Sequence, residues 1–231
     1  MGLIAGIKRR AHLLYDPAPM QDFDDFDEYW DRRGELVVYQ RWVLAAARIP
    51  DGSRVLDIGC GSGDFLRYLK SVKPNVVGVG ADSSAKALEM TREAGFEAIE
   101  IDAQRDPIPE GFDYITAFEV LEHLPDAEVA LTNWCAAAGK GVLLSMPNVG
   151  YIGNRIRLMF FGRFPITNCV YHIKEHVRHW TVKDFYEWTE RLGLRVTSME
   201  TQYGLKPFGN RFPALFAEGI VWGVERADKG Q

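Results

Sequence analysis

The chain reads as an α/β protein, a parallel sheet wrapped by helices. Three observations predict it. Short apolar strands alternate with amphipathic helices from about residue 35 onward. Several strand candidates are continuous apolar runs, such as Gly-Val-Leu-Leu-Ser-Met at 141–146, as strands buried on both faces require. A glycine-rich stretch at 59–63 sits between a strand and a helix, the position where such a loop meets a ligand.

Taken in order, 35–48 is a helix candidate because Leu36, Val37, Tyr39, Gln40, Val43, Leu44 and Ala47 form one stripe at helical spacing. Residues 54–58 form a short apolar strand. Residues 64–72 form a helix with Phe65, Leu66 and Leu69 facing inward. A strand at 76–79, a helix at 84–94 and strands at 98–101 and 114–118 follow. A helix near 127–138 leads to a fifth strand at 142–145. After Pro147 the rhythm breaks, and 151–171 reads as a helix plus loop inserted behind the fifth strand. Thr181 is an expected N-cap and Gly193 an expected C-cap of a helix over 181–192. Two last strands are expected at 194–200 and 219–224.

Composition excludes more than it proposes. The 231 residues carry 27 Lys and Arg against 32 Asp and Glu, a net charge of −5, which argues against general nucleic-acid binding. The 3 cysteines, Cys60, Cys135 and Cys169, are widely spaced and form no C-x-x-C, so neither a disulfide framework nor a cysteine-rich metal site is expected. No secretory signal or membrane span is read from the sequence, which makes a cytoplasmic protein the expectation. Residues 1–34 stand apart as an N-terminal extension, with an acidic-aromatic run from Asp22 to Trp30. That run is either a solvated extension that pins a few aromatics or a cap over a ligand pocket or partner-docking arm. The rest, 35–231, reads as one domain with an insert at about 151–175.

The glycine loop carries the chemistry. Val-Leu-Asp-Ile-Gly-Cys-Gly-Ser-Gly runs from Val55 to Gly63. A dinucleotide fingerprint is G-x-G-x-x-G, but here the spacing is G-x-G-x-G, and Asp64 occupies the third-glycine position. Asp57 and Asp64 bracket the loop with negative charge, a poor neighbour for a pyrophosphate. Carboxylates suit a cationic ligand such as S-adenosylmethionine, which carries an ammonium and a sulfonium and no phosphate.

The same nine residues resemble motif I of the class I S-adenosylmethionine-dependent methyltransferases. Residues 101–126 are similar to that family's third- and fourth-strand region, and 143–148 to its fifth-strand end. The resemblance implies a Rossmann-like, doubly wound, seven-stranded sheet with the last strand antiparallel and helices on both faces. It also implies S-adenosylmethionine as cofactor and S-adenosylhomocysteine as product. On this resemblance Asp57 orients the methionine ammonium, and Gly59, Cys60, Gly61 and Gly63 shape the path of the amino-acid moiety. Asp102 and Ala103 lie at the adenine, and Phe118 and Glu119 lie near the methionine. The family carries an acid at the end of its second strand that binds the ribose hydroxyls. Aligned on the usual pattern, Gly80 falls at that place and Asp82 two residues on, where it would reach back to the ribose.

On the acceptor side, His123 and His176 are the candidate catalytic residues. His176 is supported by similarity to sugar and quinone methyltransferases. Asn148, Tyr151, Arg155 and His179 are the candidate substrate contacts. His172, His176 and His179 fall within eight residues, but only Glu175 accompanies them, so no metal site is expected. Arg155, Arg157, Arg163 and Arg178 either form a solvated face or hold an acidic acceptor. Residues 145–167 and 211–226 further resemble MetW-like proteins of methionine biosynthesis. That closer resemblance implies an alternative role, an accessory protein supporting a homoserine acyltransferase.

Overall fold

The computed structural model describes residues 37–164, 176–205 and 208–227. The N-terminal extension with its acidic-aromatic run, His12, Cys169, His172 and Glu175 lie outside these residues.

Seven strands form one sheet in the order β3-β2-β1-β4-β5-β7-β6. The strands are β1 (Arg54–Ile58), β2 (Val77–Asp82), β3 (Glu97–Glu100), β4 (Phe112–Phe118), β5 (Ala138–Pro147), β6 (Leu194–Gly204) and β7 (Ala217–Arg226). The first five are parallel. β7 enters antiparallel between β5 and β6. The strand order reverses beside β1, so β1 and β4 diverge into helices on opposite faces. That is where an open α/β sheet leaves a crevice beyond its carboxyl ends. The fold is the expected seven-stranded methyltransferase-like sheet with its last strand antiparallel.

The helices are α1 (Gln40–Ala46), α2 (Asp64–Val72), α3 (Ala85–Glu93), α4 (Ala127–Ala137), α5 (Ile152–Phe161), α6 (Val182–Arg191), α7 (Phe208–Arg211) and α8 (Pro213–Phe216). A single 3₁₀ turn, Leu121–His123, follows β4. Each start has a local cause. Ser84 caps α3 by accepting from the Ala87 N–H at 3.1 Å. Thr181 caps α6 in a capping box with Asp184, which accepts back from the Thr181 N–H. Gly193 ends α6 with φ +69°, a left-handed value that spares glycine a Cβ clash.

Apolar burial divides between the two faces of the sheet. On one, Trp134, Phe185 and Trp222 are fully buried among β4, β5 and β7 side chains. On the other, Trp42 and Ile49 pack with Phe65, Leu66 and Leu69. Among the described residues no helix is long and apolar enough to cross a membrane.

Candidate active site

The glycine loop turns between β1 and α2 with Gly59, Gly61 and Gly63 all at positive φ, 69°, 54° and 72°. Glycine is needed at Gly59 twice over, because a Cβ there would also lie 2.5 Å from Val120 Cγ2. The Gly59 and Cys60 N–H groups both donate to the Ala81 carbonyl, at 2.8 and 3.1 Å, which fastens the loop to the end of β2.

Asp82 is the last residue of β2. One carboxylate oxygen accepts from the Gly61 N–H at 3.0 Å, the other from the Ser84 N–H at 3.0 Å. It therefore braces the glycine loop from the neighbouring strand. Gly80 lies inside β2, paired with Asp57 of β1 and Ala98 of β3. A Cβ at Gly80 would meet Cys60 Sγ at 2.7 Å and Thr91 Cγ2 at 2.8 Å. A side chain there would have to displace both, and β2 runs on two residues past Gly80 to Asp82.

Asp57 is buried beneath the loop, 3% exposed. Burial pushes its carboxyl up to about 7, countered by the Thr116 hydroxyl, which donates to it at 2.7 Å, and reinforced by the Asp82 charge. Cys60 is buried against Thr91, its Sγ 3.4 Å from Oγ1, and burial pushes its thiol well above the usual range. Its side chain packs the loop, away from any role as a nucleophile.

Beyond β3, the Asp102 carboxylate accepts from the Gln104 and Arg105 N–H groups at 3.0 and 3.2 Å. It holds a turn whose next carbonyl, at Ala103, accepts from the Trp134 indole at 3.0 Å. The loop after β3 is thus tied to the core through one tryptophan.

The end of β4 is the most unusual part. Phe118 stacks edge-on to Phe65, ring centroids 4.7 Å apart. Glu119 follows with φ +56°, a left-handed value that costs a non-glycine residue about 1–3 kcal/mol and tends to sit at functional sites. Its Oε1 accepts from Ser145 Oγ at 2.7 Å and from Gln202 Nε2 at 3.1 Å. Those donors come from β5 and β6, so three strands converge on this carboxylate.

The next turn buries Glu122, 1% exposed. Among the described residues no donor is paired with either of its carboxylate oxygens. Burial, with the Glu119 carboxylate beside it, raises Glu122 well above the usual carboxylate range, and Arg41 opposes this from α1. The Glu122 carbonyl accepts from the Val177 and Arg178 N–H groups, both at 3.0 Å. That pair of bonds brings the segment 176–179 against the turn. His123 and His176 meet edge to face, ring centroids 4.7 Å apart, and His179 lies 6.5 Å from His176. His179 stacks on Phe164 at 5.3 Å, and burial lowers its pKa from the usual histidine value. The two histidines singled out from the sequence are therefore neighbours at one strand end.

The expected substrate contacts fare differently. The Asn148 amide is buried and fully used. Its Nδ2 donates to the carbonyls of Pro213, Ala214 and Ala217, and its Oδ1 accepts from the Gly150 N–H. Asn148 is a structural staple between the end of β5 and the start of β7. Arg157 is buried and donates to the Phe164 carbonyl at 2.7 Å. Arg178 donates to the Pro125 carbonyl and pairs with Glu128 at 2.8 Å. Arg155 donates through Nε to the Gly150 carbonyl at 2.6 Å and keeps an exposed guanidinium, and Tyr151 is a buried residue at the start of α5.

Sequence reasoning placed His123 and His176 but passed over Glu122. The expectation of no metal considered only the run 172–179. Among the described residues, Glu122, His123 and His176 are a set of groups that could hold one metal ion, with ligand atoms within 4.8 Å of one another. The signal was present as Glu-x-x-Glu-His directly after a strand, at 119–123.

Comparison with known proteins decides the family. A family model described as a methyltransferase domain matches residues 29–199, well over half the chain. The chain belongs to this methyltransferase family. S-adenosylmethionine is the family's methyl donor.

The methyltransferase is 32% identical over 124 residues to a ubiquinone biosynthesis O-methyltransferase of Burkholderia thailandensis, covering 48% of this chain and 53% of that one. It is 38% identical over 95 residues to the protein of that description from Idiomarina loihiensis, covering 38% and 39%. The chain thus spans about half or less of the length of these curated relatives. Among solved structures it resembles a TehB-like S-adenosylmethionine-dependent methyltransferase from Corynebacterium glutamicum, TM-score 0.59, 20% identity, over 87% of this chain and 98% of that one. It also resembles the complex between the Haloferax volcanii Trm112 methyltransferase activator and a putative methyltransferase, TM-score 0.62, 19% identity, over 89% and 100%. The O-methyltransferase NcsB1, solved with S-adenosylmethionine and a naphthoic acid, superposes with TM-score 0.56 at 18% identity, over 79% of this chain and 52% of that one. At these identities the structural neighbours speak to the fold.

Proposed function

We propose that the protein transfers a methyl group from S-adenosylmethionine to a hydroxyl of a small aromatic acceptor. The observation that carries the reading is the set of carboxylates and left-handed glycines at adjacent strand ends. The loop from Gly59 to Gly63 leaves backbone close to any ligand, with Asp82 braced against it and Glu119 held at the next strand end. A cationic donor suits that charge.

In this reading Asp82 is itself the ribose-binding acid, because it ends β2 and Gly80 does not. Asp57 supports the loop from below and orients the amino-acid end through the backbone. Asp102 and Ala103 flank the adenine from the turn after β3. The acceptor lies over the end of β4, among His123, His176 and His179, with Phe164 as an aromatic wall. Arg155, with its exposed guanidinium, and Tyr151 stand at the entrance on α5. Methyl transfer is a direct displacement, so alignment of acceptor oxygen, methyl and sulfur supplies much of the acceleration, up to about 7–11 kcal/mol. The hydroxyl must also lose a proton. His179, kept neutral by burial, is a suitable acceptor of it at neutral pH.

The choice of a hydroxyl over a carboxylate rests on the relatives described as O-methyltransferases. The MetW-like accessory role rests on the resemblance of 145–167 and 211–226 alone, part of which lies outside the described residues. No feature of the site calls for an acyltransferase partner, and the enzyme reading is preferred.

The test is methyl transfer from isotopically labelled S-adenosylmethionine to a panel of catechols, monophenols and aromatic carboxylates. Label is expected on the phenolic oxygens, most with two adjacent hydroxyls. Transfer only to carboxylates would overturn the hydroxyl assignment. No transfer, together with stable capture of a homoserine acyltransferase, would favour the accessory role.

A further inference from the structure

The end of the sheet that holds the glycine loop also carries the most exposed large apolar side chains of the described residues. β5 and β6 run in the same direction, since β7 lies antiparallel to both, so both finish at that end. α5 follows β5 and leaves Met159 74% and Phe160 71% exposed, with Phe161 beside them. The turn after β6 leads into α7, where Phe208 and then Phe212 are exposed. The Asn148 amide, just before α5, holds the Pro213 and Ala214 carbonyls, which ties α8 to the root of α5. Single exposed apolar residues are ordinary, but a concentration of them marks an interaction surface.

Its charge is the reverse of the chain's. From Pro147 to Lys174, and from Thr201 to Ala217, the sequence holds no Asp or Glu. Arg155, Arg163 and Arg211 are exposed there. The chain as a whole nevertheless stands at −5. A dense acidic run lies at Asp22–Glu28, with Phe23 and Phe26 inside it and Tyr29 and Trp30 directly after it.

We propose that residues 22–30 of this chain dock on that apolar and cationic collar. The aromatic rings of the run would cover the exposed side chains of α5 and α7, and its carboxylates would face Arg155, Arg163 and Arg211. Each side offers what the other needs, rings among acids against rings among arginines. The tether also starts in the right place. The described chain begins at Val37, and Gln40 accepts from the Tyr203 N–H at 3.4 Å, so the run joins the domain beside the end of β6. Trp30 stands seven residues before Val37, about 23–25 Å of extended chain, and Asp22 fifteen residues before it, about 50 Å. A segment on so short a tether acts at about millimolar effective concentration. Other occupants meet repulsion. A second copy presents the same cations, and an anionic bilayer would face the five carboxylates of 22–28.

Docked there, the run would cross the entrance where Arg155 and Tyr151 stand, and an anionic acceptor would compete with it for Arg155. That consequence rests on the methyl-transfer reading, whereas the docking itself does not.

The test is photo-cross-linking in the full chain, with p-benzoylphenylalanine in place of Phe26 and the products mapped by mass spectrometry. Cross-links within one chain to peptides of α5 or α7 are expected. Arg163→Glu combined with Arg211→Glu is expected to lower their yield about tenfold, since attraction becomes repulsion. Met159→Ser combined with Phe160→Ser is expected to lower it comparably. All four side chains are exposed, so unchanged thermal melts are expected to show that the fold holds. Cross-links only to other surfaces, or only between two chains, would overturn the proposal, as would a yield that neither pair of substitutions lowers. Vesicles of phosphatidylglycerol and phosphatidylcholine supply the last arm. The wild-type chain is expected to stay in solution and keep its cross-links. A chain that sediments with the vesicles and loses them would assign the collar to a membrane instead. Titration with S-adenosylhomocysteine reads donor binding separately, so failure of either reading leaves the other standing.

Discussion

Asp82→Ala is expected to weaken S-adenosylhomocysteine binding at least about 100-fold. Each charge-assisted hydrogen bond is worth about 1.5–3 kcal/mol, and about 1.4 kcal/mol is tenfold in affinity. A carboxylate at this strand end can serve two ribose hydroxyls. The variant also removes the brace on the Gly61 N–H, so the loop loses support before any ligand arrives. Asp82→Asn, which keeps one oxygen able to accept, is expected to fall between alanine and wild type. Calorimetric titration of the three proteins reads the order directly. An alanine variant that binds as tightly as wild type would remove Asp82 from the site. Restoring an acid at position 80 instead is expected to damage folding, because a Cβ there would lie 2.7 Å from the Cys60 sulfur.

Trp134→Ala is expected to be the most damaging core change that also reaches the site. Trp134 is fully buried in α4, and truncating such a residue costs about 3–5 kcal/mol. For a chain of this size each kcal/mol lowers the melting temperature by about 2–4 °C. A fall on the order of 10 °C is therefore expected in a thermal melt. Trp134→Phe restores most of the volume but leaves the Ala103 carbonyl without its indole donor. It is expected to recover most of the stability while still loosening the turn after β3. A melt of Trp134→Ala within a degree or two of wild type would contradict the packing account.

Much of this architecture was legible because strong local patterns met no competing tertiary effect. β1 and α2 lie where the apolar run and the stripe of Phe65, Leu66 and Leu69 place them. β2 is longer than its Val76–Val79 reading because Gly80 and Ala81 look like a strand end. They are strand interior, held between β1 and β3, where a larger residue would strike Cys60. β5 is longer than 142–145 for a similar reason, since Gly139, Lys140 and Gly141 resemble a loop but pair with β4 or precede β7 contacts. The helix over 35–48 is shorter in the described residues, Gln40–Ala46, with extended backbone at Tyr39. The short helices α7 and α8 were not foreseen, because four residues give no period to read.

The site divides along the same line. The glycine loop is local chemistry and reads well from sequence. The histidine cluster is assembled across distance. His123 and His176 lie far apart in sequence and meet only because the segment 176–179 bonds to the Glu122 carbonyl. Asn148 shows the opposite case. A polar residue at a strand end looks like a ligand, yet three backbone carbonyls consume its amide.

The central claim is that these strand ends bind the methyl donor, and one titration tests it most directly. Calorimetry of the wild-type chain with S-adenosylhomocysteine is expected to give a single site with a micromolar Kd. No heat of binding at millimolar ligand would contradict the account.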